Sequence, residues 1–160
     1  MEQQGDIKFF YDSTTANTLG YADIQIDGVD LVRDPGFETS VLIALFSDGR
    51  ADPEDALPDP KDSRRGWWGD ALLEIPFKSK LWLLERAKLT DETLSRAEEY
   101  AKTALAYLVV DGIADDVQAV ATRGGANQID FVISIIRNND RNIFFKFYIN
   151  WQFQIFGGLS

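Results

Sequence analysis

The segment that most restricts how this chain can fold is Thr90 to Gly112, TDETLSRAEEYAKTALAYLVVDG. Leu94, Ala97, Ala101, Ala104, Leu105 and Leu108 recur at three- and four-residue steps, which places them along one stripe of a helix. Thr90 is positioned to cap the first turn, Asp91 and Glu92 lie at the positive end of the helix dipole, and Gly112 can adopt the left-handed conformation that closes a helix. Such a rod is roughly 30 Å long. Its apolar stripe needs a sheet to lie across.

The sequence beyond it supplies that sheet. The periodicity changes to two, and Val117 to Arg123, Ile129 to Arg137 and Ile143 to Phe153 read as strands separated by Gly124-Gly125-Ala126-Asn127 and Asn138-Asn139-Asp140-Arg141. Separators this short predict an antiparallel meander. The final strand carries Ile143, Phe145, Phe147, Ile149, Trp151 and Phe153 on one face. That row covers the long helix, while the strand itself stands at the edge, where unpaired backbone groups invite a further chain.

Ahead of the helix, Ile7 to Tyr11 reads as a strand, and the alternation from Tyr21 through Asp27-Gly28 predicts a hairpin. Asp34-Pro35 is a helix-start signal for a helix bearing Phe37, Val41, Leu42, Leu45 and Phe46, which Ser47-Asp48-Gly49 stops. Arg50 to Lys61 is an acidic, proline-rich loop without calcium-site spacing, and Ser79 to Lys88 is a second short helix with Leu81, Trp82 and Leu84 facing inward. The expected fold is a single α+β domain over 1–160: N-terminal strands in 1–33, helices with a Trp-rich loop in 34–112, and a three-stranded antiparallel meander in 113–160.

The chain contains neither cysteine nor histidine, which removes disulfides, Cys/His zinc sites, cysteine nucleophiles and the Ser-His-Asp triad. A net charge of -10 opposes binding to nucleic acid, which depends on Lys and Arg displacing counterions. No apolar run reaches the roughly 18 residues of a membrane span, and MEQQGDIKFF lacks the features of a signal peptide, so a soluble product of the cytoplasm is expected. No cofactor is called for. Carboxylate chemistry survives the exclusion, with Asp70, Glu74 and Glu85 near tryptophan as candidates for a muramidase, but no spacing separates an acid from a nucleophile.

Arg64-Arg65-Gly66-Trp67-Trp68-Gly69-Asp70 is the most unusual stretch. Tryptophan and arginine anchor protein interfaces, and on an extended chain neighbouring indoles point opposite ways. One reading makes Trp67 and Trp68 anchors with Arg64 and Arg65 at the rim. The other plugs both indoles into the domain and pairs the arginines with the abundant acids, and both readings stay open.

The runs LVRDPGFETSVLIALFSDGRA, RRGWWGD and LWLLERAKLTDETLSRAEEYAKTALAYLVVDGIADDV resemble the small baseplate wedge proteins of Mu-like contractile-tail phages, themselves similar to the lysozyme-like wedge proteins and their type VI secretion counterparts. That resemblance implies a non-enzymatic structural component of the virion tail baseplate. It implies binding to larger wedge subunits, oligomers only within the assembled baseplate, and priming of the sheath protein by strand pairing. The broader group carries a Glu-Pro-Arg motif after its main helix, where this chain reads Val110-Asp111-Gly112-Ile113, so Asp111 alone keeps an acid at that contact. The partner-binding residues expected on these grounds are Arg64, Arg65, Trp67, Trp68, Asp111, Phe145, Phe147 and Trp151.

Overall fold

The computed structural model describes residues 39–66, 78–137 and 143–150 with their side chains, and the backbone alone of 6–7, 9–11, 22–24, 26–27, 30–31, 33–34, 38 and 155–158. The N-terminal strands form paired ladders: β1 (Asp6–Ile7) with β6 (Arg33–Asp34), β2 (Phe9–Tyr11) with β3 (Ala22–Ile24), and β4 (Ile26–Asp27) with β5 (Asp30–Leu31). The last of these is the hairpin expected at Asp27-Gly28, since Asp27 pairs with Asp30 across it.

Helix α1 spans Glu38–Phe46. Asp34 does not cap it, because Asp34 is paired with Asp6 in β6 and the helix begins four residues later. Its end falls at Ser47-Asp48-Gly49 as expected, with Val41, Ala44 and Leu45 buried and Phe46 packed against the same core. The second short helix is a single 3-10 turn over Leu81–Leu84, and all four of its residues are buried.

The long rod is two pieces, α2 (Asp91–Leu105) and α3 (Tyr107–Val110). Thr90 caps α2 by accepting the Thr93 N–H at 3.2 Å. The break falls at Ala106, whose N–H turns to the Thr103 carbonyl three residues back. Gly112 closes the end at φ 69°, and the N–H groups of Ile113 and Ala114 both reach the Leu108 carbonyl at 2.9 Å. The apolar stripe survives the break: Ala97, Ala101, Ala104, Leu105 and Leu108 are buried, and Leu94 packs at their margin.

The sheet follows as β7 (Asp116–Gly125), β8 (Gln128–Ile136) and β9 (Ile143–Asn150), an antiparallel meander. Its inner face carries Ala119, Ala121, Ile129, Phe131, Ile133, Ile135 and Phe147, which join α1, α2 and the 3-10 turn in one core. Phe147 stacks on Phe131 with ring centroids 5.0 Å apart and meets Phe46 edge-on at 5.4 Å, tying α1 to the middle of the sheet. Between β7 and β8 the register shifts at Gly124, where a side chain would lie within 2.3 Å of the Asp130 carboxylate.

A short fourth strand, β10 (Ile155–Gly158), extends the meander by pairing with Phe147 to Asn150. The last long strand is therefore not the open edge over those residues, contrary to expectation. The sheet order is β10-β9-β8-β7. No helix among the described residues is long and apolar enough to cross a membrane.

Candidate functional site

Four cations order the acidic loop after α1: Arg64, Arg65, Lys80, and Arg86, whose guanidinium reaches Asp59 at 3.3 Å. The loop is anchored at its base by the Ala51 N–H on the Arg64 carbonyl at 3.0 Å and by the Gly49 N–H on the Ser79 carbonyl at 2.8 Å. Arg64 threads its guanidinium into the loop, donating to the carbonyls of Asp52, Pro53 and Asp55. Lys80 binds the carboxylates of Asp52 and Asp55. Burial alone would push the Asp55 carboxyl up, but the Lys80 bond and the Asp52 N–H hold it below its ordinary value, and the same carboxylates outweigh burial to raise Lys80.

Arg65 is the centre of the arrangement. Its guanidinium lies 4.3 Å over the Trp82 ring, grips Glu85 at 3.1 and 3.2 Å and reaches Asp48 at 2.9 Å. Burial would lower its pKa, and the bonds to Glu85 and Asp48 more than reverse that. Trp82 in turn donates its indole N–H to the Gly49 carbonyl at 2.8 Å. Beneath this lattice Ala51, Trp82 and Leu83 form a second small core with Leu57 and Tyr100 at its margin. Both arginines are thus committed inside the chain, not disposed as a free rim.

Trp67 and Trp68, the anchors expected beside them, lie outside the described residues, as do Trp151, Asp70 and Glu74. Phe147 is in the core, with its backbone paired to Phe131 of β8 and Gly158 of β10, and Phe145 packs against the same core. Asp111 is exposed at the end of α3, where its charge and burial together raise the pKa of Tyr107, burial being the larger effect.

Around Asp111 the chain exposes apolar side chains that lie off the buried stripe. Val109 is 41% exposed, Val110 64% and Ile113 38%, which makes three large aliphatic groups in one turn facing out, with Asp111, Asp115 and Asp116 exposed among them. The signal was present in the sequence: Val109 and Val110 fall off the buried stripe at positions where a solvated helix end carries polar groups. Apolar surface concentrated in this way is a mark of a docking site. The outer face of the sheet adds Val120, 50% exposed, and Phe144, 62% exposed.

Of the three candidate acids, Glu85 alone lies among the described residues. Glu85 borders a cleft of about 250 Å³ with Leu84, Arg86, Leu89, Thr93 and Ile129, but its carboxylate is bound by Arg65, and glycoside hydrolysis asks for a second carboxyl across the cleft. Among the described residues no group of three or more Asp, Glu, His or Cys could hold a metal ion.

Comparison with known proteins adds what geometry alone does not. Residues 37–142 match the phage protein GP46 family. Baseplate protein gp46 of Escherichia phage Mu is 50% identical over 95 residues, 59% of this chain and 66% of that protein, so the match spans just under two thirds of the phage Mu protein. Mu-like prophage FluMu protein gp46 of Haemophilus influenzae is 32% identical over 134 residues, 83% of this chain and 92% of the relative.

Proposed function

Because this chain belongs to the phage protein GP46 family, we propose that it is a structural component of the baseplate of a contractile phage or prophage tail. The observation that carries this reading is its 50% identity to a protein named as a baseplate protein of phage Mu. The fold suits such work: a well-packed core with its apolar surplus at the turn of Val109 to Ile113 and on the outer face of the sheet.

In this reading the turn around Asp111 docks on a larger wedge subunit, burying Val110 while the aspartates set orientation. Trp67 and Trp68 add aromatic anchors, and Arg64 and Arg65 serve them indirectly by fixing the loop from which that segment departs. The sheet offers its β9–β10 side, with Phe145, Phe147 and Trp151 on the strand involved, for strand pairing with the sheath protein. The role is not enzymatic. The virion baseplate is where the protein resides, and it acts as part of that assembly.

The experiment is a pull-down of the purified chain against the baseplate and sheath proteins encoded beside it, with the mass of each complex measured. A stable complex with a larger wedge subunit is the expected result. Binding to none of them, together with peptidoglycan turnover lost in Glu85→Gln, would replace this reading with the muramidase.

A further inference from the structure

The two sides of the sheet are finished differently. β7 is the terminal strand on one side, and a terminal strand ordinarily turns a row of backbone donors and acceptors outward as a template for any extended chain. In an antiparallel strand, residues two apart direct their N–H groups to the same side. The Ala121 N–H faces away from β8, because it donates to Oε1 of Glu98 on α2 at 2.9 Å. Val117 shares that direction, and its N–H donates to Oδ1 of Asp116 at 2.9 Å. Farther along the same strand, Arg123 sends its guanidinium to the Leu89 carbonyl, laying its side chain back toward the start of α2.

These contacts depend on how closely α2 approaches. Small residues, Ala97 and Ala101 on the helix and Ala119 and Ala121 on the strand, belong to the same core where helix and strand meet. That proximity lets a carboxylate from the polar flank of α2 reach across to an edge amide. The side-chain oxygen of Glu98 accepts that hydrogen bond, so an incoming strand that needs the Ala121 N–H for its own carbonyl finds it already engaged.

We propose that Glu98 and Asp116 are specificity-determining residues that cap two outward N–H groups of this edge, at Ala121 and Val117, and so turn away a second copy of this chain, leaving a partner strand to enter from the Ile155–Gly158 side. The one-sidedness rests on the strand-pairing role proposed above; the closure concerns the isolated chain and does not.

The test is sedimentation of the purified full chain over a wide concentration range, with hydrogen exchange read at residues 116–125. Glu98→Ala/Asp116→Ala is expected to self-associate at least about tenfold more tightly than the unaltered chain, equivalent to about 1.4 kcal/mol, with new protection along that strand. Glu98→Gln/Asp116→Asn keeps a side-chain carbonyl at both places and is expected to match the unaltered chain. If the alanine variant sediments like the unaltered chain, or if the amide variant associates as strongly as the alanine one, the proposal is overturned. The same holds if the unaltered chain gains protection at 116–125 as its concentration rises. Should the double alanine variant not fold, Asp116→Ala alone, at an exposed position, must still strengthen self-association, and no change there overturns the proposal. Since no baseplate protein is present, the outcome is separate from that of the pull-down.

Discussion

Arg65 holds Glu85 through both of its terminal nitrogens, at 3.1 and 3.2 Å, while its carbon centre rests 4.3 Å above the Trp82 ring. It does so from a backbone angle of φ 43°, in the left-handed region that a side chain rarely occupies. The side-chain contacts offset that conformational cost. Arg65→Lys keeps the charge but loses the forked pairing and the flat contact with the indole. Its expected effect is a loss of about 1–2 kcal/mol, with faster exchange of the Gly49 and Ala51 amides and little change in the sheet; equal acceleration throughout would show that the loop has no separate stability.

Lys80 and Asp55 give this loop a pH signature. Asp55 is depressed below its ordinary 3.8, so its contribution is present above that value and is lost as pH falls through the lower folded value. Lys80 is raised above its ordinary 10.5, so its contribution is complete below 10.5 and is lost as pH rises through the higher folded value. Lys80→Met should therefore lower the melting temperature on the neutral plateau and weaken both the acid and the alkaline dependence. Partial exposure of the pair limits the effect to under about 1 kcal/mol. Melting curves across pH measure it.

Phe131 and Phe147 form the stacked pair at the middle of the core. Phe131→Ala opens a cavity that neighbouring elements fill poorly, at a cost of about 3–5 kcal/mol in denaturant unfolding. Phe147→Ala also removes the edge contact to Phe46, so the attachment of α1 should loosen in addition.

The two ends of the helical segment call for smaller effects. Thr90→Ala removes the oxygen that accepts the Thr93 N–H and is expected to cost about 1 kcal/mol. Gly112→Ala meets no neighbour within 4 Å, so its expected cost is the left-handed backbone alone, about 1–2 kcal/mol. Thermal unfolding of both variants checks these values. A larger loss at Gly112 would reveal a steric conflict that the space around it excludes.

Val110→Asp places charge in the most exposed part of the α3 turn. The chain should unfold as before, within about 0.5 kcal/mol, yet lose the proposed binding to a larger wedge subunit in the pull-down. Retained binding would move the docking surface away from Asp111.

Much of the architecture was legible because period and punctuation agreed. The Thr90 cap, the alanine stripe and the switch to alternation after Asp116 each yield one interpretation, and helix, sheet and core follow them. The fourth strand was not legible, since Ile155-Phe156-Gly157-Gly158 is half glycine and glycine disfavours strands; its partner supplies what its composition lacks. Nor was Asp34 readable as a strand residue, because a cap signal is local whereas its pairing with Asp6 is not. The lattice around Arg65 was foreshadowed only as arginines among acids. Which acids they meet depends on the 3-10 turn bringing Trp82 and Glu85 back to the loop, and spacing along the chain does not encode that return.

The loop from Ala51 to Arg64 is tied shut at its base, while Pro60, Lys61, Asp62 and Ser63 at its far side are exposed. Each doubling of such a segment costs only about 0.6 kcal/mol in closure entropy. A small epitope or fluorescent marker spliced between Pro60 and Ser63 would therefore leave the anchored base undisturbed, and it would give electron microscopists a label for locating this subunit within an intact tail.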